Sequence, residues 1–278
     1  MSKKVEKNEY EEQLEEMNGI VEEIEKNEYD DITNEAIKQF ELEEMKGLTP
    51  EEKERKERFK KEEKEKLELW IPKTQLGKDV KAGKIKDIET VFASGKKILE
   101  AEIVDTLIPH LQTDVLFIGQ AKGKFGGGKR RAFRQTQKVG KEGTTLTFSV
   151  MAVVGDGSGH IGIGYGKAAE TLPAKEKAVR KAKLNMMTVP RGCGSFNCSC
   201  SEKHSIPMEI EGKCSSVKIK LIPAPQGTGL VVNNELKKIL RVAGIKDIYS
   251  KSSGKKRTTF NTAKACVQAL NKLNDLEL

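Results

Sequence analysis

Residues 144–166 hold the pattern that most narrows what this chain can fold into. In TTLTFSVMAVV, Leu146, Phe148, Val150, Ala152 and Val154 alternate with polar or small residues, the two-residue period of a β-strand. Gly155-Asp156-Gly157-Ser158-Gly159 supplies a turn, and His160–Gly166 returns as a second strand, so the pair is expected to be a hairpin. A helix is expected from about Thr171 to Met186, with Pro173 in its first turn, where the missing N–H costs nothing. At about 100° per residue, Leu172, Ala174, Ala178, Val179, Ala182 and Met186 share one side, while Lys177, Arg180, Lys181 and Lys183 fall opposite. One face is set to pack and the other to meet phosphates.

A helix near Glu100–Leu111 and a strand at Val115–Ile118 precede the hairpin, which makes the order α-β-β-β-α, that of a double-stranded-RNA-binding fold. Past a Cys-rich segment the pattern restarts. SSVKIKLI alternates Val217, Ile219 and Leu221 with lysines, ELKKILRVAG is a helix stopped by Gly244, residues 245–249 suit a strand, and a last helix begins near Asn261. That helix carries Ala263, Cys266, Val267, Leu270 and Leu273 on one stripe. The fold class is therefore α+β: a double-stranded-RNA-binding-like domain at 98–190, a Cys/His-rich connector at 191–206 and a smaller α+β domain at 207–278 built around a β-α-β unit. Residues 67–97, with Trp70, Pro72 and spaced aliphatics, form an adaptor of short helices.

Charge divides the chain in two. Residues 1–66 hold 14 Lys and Arg against 23 Asp and Glu, a net of −9, with too few apolar positions for a core; they read as an acidic extension, helical or disordered. The remainder holds 36 against 19, a net of +17. A surplus of that size favours a polyanion partner, since neutralised phosphates release condensed counterions. A membrane is disfavoured, because no apolar stretch approaches the roughly 20 residues of a span and no basic helix has a bulky apolar face. The start, MSKKVEKNEY, lacks an apolar signal region, so a cytosolic protein is expected, with its five cysteines acting as metal ligands or reduced thiols.

Four regions carry the candidate chemistry. The Gly- and Lys/Arg-rich stretch at 119–143 offers Lys122, Lys124, Lys129, Arg130, Arg131, Arg134, Lys138 and Lys141 to RNA, with Phe125 and Phe133 able to stack on unpaired bases. The alternative, a solubilising loop, leaves eight cations with no counter-charge up to Lys141. The helix adds Lys177, Arg180, Lys181 and Lys183, and Arg191 follows it. The turn Pro223-Ala224-Pro225-Gln226-Gly227-Thr228-Gly229 offers backbone amides at Gly227 and Thr228; it lacks the Lys-Ser/Thr pair of a nucleotide-binding loop. In the second domain Lys251, Lys255, Lys256 and Arg257 complete the set. Separately, Cys193-x4-Cys198-x-Cys200-x3-His204 places four soft or borderline ligands within twelve residues, enough for one tetrahedral zinc. Its competitor is a loop of reduced cysteines. Cys214 and Cys266 read as core residues, and His110 and His160 have no partner visible in the sequence. No nucleophile–base pair stands out, which argues against an enzyme.

Several motifs now resemble a known family. Trp70-x-Pro72-x-Thr74-x-Leu76-Gly77, VVGDGSGHIGIGYGKA, AKLNMMTVPRGCG, and LIPAPQGTGL followed by LRVAGIKDIYSKSSGKKRTTFNTAKA are similar, in order, to the universal S-five family of small-subunit ribosomal proteins, in its archaeal and eukaryotic form. The cysteine cluster looks like that of archaeal members. The resemblance implies a ribosome-bound cytoplasmic protein in the small-subunit body near the messenger entry and decoding region. There it would contact ribosomal RNA and neighbouring small-subunit proteins, lie close to messenger RNA, and support assembly and accuracy. It also implies that the basic stretch is the family's RNA-probing segment and PAPQGTG its interdomain and RNA contact. A free double-stranded-RNA-binding regulator is the alternative, and a metal- or nucleotide-using enzyme a third. Gln226 stands where relatives often have a basic residue, and the acidic extension matches nothing transferable.

Overall fold

Glycines cut the segment after Trp70 into short runs, and three short helices result: α1 (Gln75–Lys81), α2 (Ile88–Ala93) and α3 (Ala101–Leu107). This computed structural model describes residues 65, 67–119, 130–200 and 202–274. The expected acidic extension at 1–66 lies almost wholly outside them. Around α1 to α3 a small apolar cluster gathers Leu76, Val80, Ile88, Val91, Ile103 and Val104 beside Trp70. Glu100 fastens its entrance: its carboxylate accepts from the Trp70 indole at 2.9 Å and from the backbone N–H of Lys73 and Thr74 at 3.0 and 2.6 Å. Burial raises its pKa, but those hydrogen bonds outweigh burial and the net shift is downward.

The first sheet contains β1 (Gln112–Leu116), β2 (Arg134–Gly140), β3 (Gly143–Gly155), β4 (His160–Ala168) and, after α4 (Thr171–Leu184), β5 (Met186–Thr188). Its order is β1-β3-β4-β5, with β2 also paired to β3. The hairpin expected from the alternation is β3 with β4, in the register Val150↔Gly166, Ala152↔Gly164 and Val154↔Gly162. Those β4 glycines lie under Ala174, Ala178 and Ala182 of α4, all with no exposed surface. The fit is close because neither side has more than a methyl group between the backbones. A Cβ at any of the three glycines would run into the helix's own carbonyl oxygens.

The second sheet, β6 (Ile210–Cys214), β7 (Val217–Pro223), β8 (Leu230–Val231) and β9 (Ile248–Ser253), has the order β6-β7-β9-β8, with β8 parallel to β9. Helices α5 (Asn234–Val242) and α6 (Thr259–Asn274) complete it. Val217, Ile219 and Leu221 point inward, as their alternation with Lys218 and Lys220 requires. The two sheets share one apolar cluster. Leu116, Met151, Val153 and Ile161 of the first pack in it with Leu236, Ile239 and Leu240 of α5 and with the second sheet. From Ser149 onward β3 is thus buried on both faces, one against α4 and one against α5. Polar groups add to this junction: Glu235 accepts from Phe117 N–H at 2.7 Å, and Lys238 donates to the Val115 carbonyl at 2.8 Å.

Several sequence expectations shift. The stretch read as a loop through Lys141 is, from Arg134 onward, strand β2, paired to β3 from Arg134↔Ser149 to Gly140↔Gly143. Thr136 and Val139 have strand propensity that the Gly/Lys-rich context obscured. The strand expected at Val115–Ile118 starts earlier, at Gln112, because its outer residues are polar. The helix stops at Leu184, so Met186, expected on its apolar stripe, opens β5 instead; it is still buried. Leu172, placed on the same stripe, is 70% exposed. The strand expected at 245–249 starts at Ile248, since the N–H groups of Lys246 and Asp247 both go to the His204 carbonyl. Cys266 is buried as expected, and Cys214 only partly.

His160, without a visible partner in the sequence, finds one across its turn: Nδ1 lies 2.5 Å from Asp156 Oδ2, and the ring stacks on Phe92 at 5.7 Å. Asp156 also accepts from the N–H of Ser158 and His160 at 2.7 and 3.1 Å. Burial raises its pKa, yet these bonds win and hold it below the ordinary 3.8. A carboxyl depressed in the folded state contributes stability above its unfolded pKa and loses it as pH falls through the folded one. The chain is therefore expected to lose this contribution below about pH 4, and Asp156→Asn to lack that part of the acid limb. Denaturant unfolding at pH 3 to 7 checks it; parallel pH profiles for the two proteins would refute it.

Candidate nucleic-acid interface and cysteine cluster

Most of the described cations chosen from the sequence are exposed, on and beside β2, on α4 and over 251–257. Arg131, Arg134, Lys138 and Lys141 are exposed along β2 and its tip, and Arg131 closes the base of the 120–129 segment by accepting from Gly119 N–H at 2.8 Å. Lys122, Lys124, Lys129 and Phe125 lie outside the described residues. Arg130 donates to the carbonyl of Arg257 at 2.7 Å, which brings residues 130–131 against the turn carrying Lys255, Lys256 and Arg257, all exposed. Nothing in the sequence linked these two runs, 127 residues apart. Lys251 is exposed on β9. None of these described cations makes an ion pair with a described carboxylate, so their charge is free for an anion.

On α4, Lys177, Arg180 and Lys181 are exposed as expected. Lys183 turns inward instead, 2.5 Å from Asp105 and 17% exposed, so α3 takes the cation that helical spacing put on the outer face. Arg191 is half-buried and donates to the carbonyls of Gly157 and Ser158 at 3.3 and 2.5 Å, bracing the β3–β4 turn. Phe133 packs beside Val150, Ala174 and Ala178, so its ring is largely committed to the core and not free to stack on bases. Sequence reading missed Lys237, Arg241 and Lys246, which line a cleft of about 690 Å³ with Arg191; no acidic residue lines it. Their signal was the (i, i+4) spacing of Lys237 and Arg241 on α5.

The cysteine cluster is assembled by a narrow loop. Gly192 and Ser205 exchange backbone hydrogen bonds at 2.9 Å, which sets Cys193 across from His204, and Gly194 N–H donates to Ile206 O at 3.2 Å. One ligand atom from each of Cys193, Cys198, Cys200 and His204 lies within 4.8 Å of the others. His204 Nε2 stands 3.1 Å from Cys200 Sγ and 3.7 Å from Cys198 Sγ. Cys198 and Cys200 share a proton across 3.0 Å, well beyond a disulfide's roughly 2.05 Å. Two thiolates on one tetrahedral zinc stand about 3.8 Å apart, so zinc fits once the sulfurs separate by under about 1 Å. The contact with Cys200, then the backbone N–H of Gln226, pulls the Cys198 thiol down to about 6, while the proton shared with Cys198 pushes Cys200 up to about 12. Of these two, Cys198 is the thiol readier to ligate.

The turn at 223–229 lies directly over this loop. Gly227 and Gly229 have φ of +86° and +71°, which only glycine adopts freely. Gln226 Nε2 donates to Glu202 at 3.3 Å. Thr228 is tied back to Pro225 O at 2.8 Å, and Gly227 and Gln226 are exposed.

Two sheets on one shared core, exposed cations without a described carboxylate partner and a ligand cluster beneath a glycine turn are features of a nucleic-acid-binding protein of α+β type. Comparison with known proteins is specific. The family model "Ribosomal protein S5, N-terminal domain" matches residues 132–190, and "Ribosomal protein S5, C-terminal domain" matches residues 212–278. The small ribosomal subunit protein uS5 of Nanoarchaeum equitans is 44% identical over 212 residues, covering 76% of this chain and 91% of the relative. That of Thermofilum pendens is 48% identical over 203 residues, 73% of this chain and 93% of the relative. The Methanobrevibacter smithii protein is 42% identical over 208 residues, 75% and 91%. The chain belongs to the ribosomal protein S5 family, and its archaeal relatives agree with the resemblance read from the motifs.

Proposed function

We propose that this chain is a structural, non-catalytic constituent of the small ribosomal subunit that holds folded ribosomal RNA by phosphate contacts. The observation that carries the reading is the set of exposed cations without a described carboxylate partner: Arg131, Arg134, Lys138 and Lys141 on and beside β2, Lys177, Arg180 and Lys181 on α4, and Lys251, Lys255, Lys256 and Arg257. It lies on a fold whose two parts match the family's two domain descriptions. The division into 67–97, 98–190, 191–206 and 207–278 belongs to the same proposal. So do the 122–129 cations, the amides of Gly227 and Thr228, and neighbouring small-subunit proteins as partners. A place near the messenger entry and decoding region, with the messenger RNA within reach, is part of the same proposal; family membership supports it and a cytoplasmic, ribosome-bound location. No described helix is long and apolar enough to cross a membrane. Sedimentation after a moderate salt wash tests the proposal. The chain should co-migrate with small subunits, whereas a free RNA-binding regulator would stay at the top of the gradient.

We further infer a structural zinc ion held by Cys193, Cys198, Cys200 and His204. Three sulfurs and one imidazole within 4.8 Å support it, because this donor set favours tetrahedral zinc over harder cations. Such an ion would cross-link the 192–205 loop. Elemental analysis of chain purified without chelator should find about one zinc per chain. Cys200→Ser should lower that occupancy, and a zinc-free wild-type chain would remove the inference.

A further inference from the structure

In the sequence the cysteine cluster and the 223–229 turn are separate motifs. In space they meet at Asp247, which belongs to neither and is only 4% exposed. Its Oδ2 lies 2.9 Å from Nδ1 of His204, and its Oδ1 accepts the Gly229 N–H at 2.7 Å. The backbone around it is held as tightly. The N–H groups of Lys246 and Asp247 donate to the His204 carbonyl at 2.9 and 3.2 Å, and the Ser205 hydroxyl donates to the Asp247 carbonyl at 2.6 Å. A carboxylate enclosed to this degree must be matched by donors. Gly229 N–H is the donor it has, and the outward nitrogen of the ligand ring lies close enough to become the second.

Imidazole ligates a cation only through an unprotonated nitrogen, and the proton of the neutral ring then sits on the other one. With Nε2 turned to the cysteine sulfurs, a ring that ligates through it carries its proton on Nδ1, and a partner that can only accept favours that tautomer. We propose that Asp247 is the positioning residue of the cluster: it holds His204 in the Nδ1–H form that ligates through Nε2, and its second oxygen ties that ring to the Gly229 end of the turn. The proposal rests on the zinc reading above. The Nδ1 contact is short but not aligned as a hydrogen bond, so a small rotation of the ring is expected on loading.

Asp247→Asn separates the two duties, because an amide has one accepting oxygen and one donating nitrogen. Gly229 N–H is fixed by the backbone while the imidazole can turn, so the amide oxygen should serve Gly229 and the NH2 should face Nδ1. That draws the ring proton to Nε2 and disables the ligand. The test uses the full chain, titrated with zinc against a chelator, together with nitrogen NMR of the His204 ring in the zinc-loaded wild type. The wild-type ring should be protonated at Nδ1, and Asp247→Asn should bind zinc about 10- to 100-fold more weakly. In a His204→Cys background, where a thiolate needs no tautomer, Asp247→Asn should leave zinc affinity unchanged. Equal affinity of Asp247→Asn and wild type, a wild-type ring protonated at Nε2, or an equal loss in the His204→Cys background would each overturn the assignment. A wild-type chain that takes up no zinc would instead sink the underlying zinc reading, so the two failures are distinguishable.

Discussion

Gly164→Ala is expected to destabilise the chain by about 3 kcal/mol or more, at the upper end of overpacking effects. The added methyl group would fall far inside van der Waals contact distance of the Ala178 carbonyl oxygen and the Ala182 nitrogen, and 2.8 Å from the Lys181 carbonyl carbon. All three are backbone atoms of α4, so no rotamer change relieves the clash and the helix must lift from the sheet. Lifting it opens the packing of Ala174 and Ala178 on Val150 and Ala152. Gly162 and Gly166 face the same helix one step to either side, at Ala182 and Ala174, so the helix cannot tilt away from one without closing on another. Denaturant unfolding and melting temperature read the effect, about 10 °C for a unit of this size. Two controls fix the cause. Ala178→Gly should not rescue Gly164→Ala, because the obstruction is backbone and not the Ala178 methyl group. Gly140→Ala, whose nearest neighbour would be 3.7 Å away, should be close to neutral. A Gly164→Ala chain as stable as wild type would mean that α4 does not lie this close to β4.

That contact also marks where the sequence stops being readable. The alanine stripe of α4 and the alternation in β3 are visible in the residues, because periods of 3.6 and 2 report which face is buried. The glycines of β4 were read as part of a returning strand, but their spacing gives no hint that they face Ala174, Ala178 and Ala182. That pairing is a property of two elements together. Lys183 fails for the same reason: a helical wheel places it outside, and only the position of α3 supplies Asp105. β2 was hidden by lysines and glycines, since its outer face meets solvent and needs no apolar residue to form. The four ligands of the cysteine cluster were legible because they are local. Asp247, proposed to orient one of them, was not: it lies 43 residues beyond His204 in a stretch that reads only as a strand, and the approach to β9 brings it in. Likewise the meeting of Arg130 with Arg257 turns two basic runs into one surface that neither run announces.

The largest expected effect on binding comes from removing Lys177, Arg180 and Lys181 together. Their helix is anchored by its alanine face, and all three side chains are exposed without a described carboxylate partner. Alanine has the highest helix propensity, so the triple substitution should leave the fold intact and act on charge alone. Each phosphate contact contributes about 0.9 to the slope of log K against log salt on duplex DNA, taken here as a guide for folded RNA. Three lost contacts should flatten that slope by about 2.7 and, at about 0.1 M salt, weaken binding to small-subunit ribosomal RNA several hundredfold. Lys183→Ala separates exposed charge from charge in general. Lys183 is already held by Asp105, so its loss should leave the salt slope unchanged and cost stability instead. Filter binding across a salt series, with circular dichroism to confirm the fold, reads both. A triple variant that keeps the wild-type slope would take α4 out of the RNA contact and leave it to β2 and the 251–257 segment; a Lys183→Ala variant that flattens the slope would mean that Asp105 releases its partner when RNA arrives.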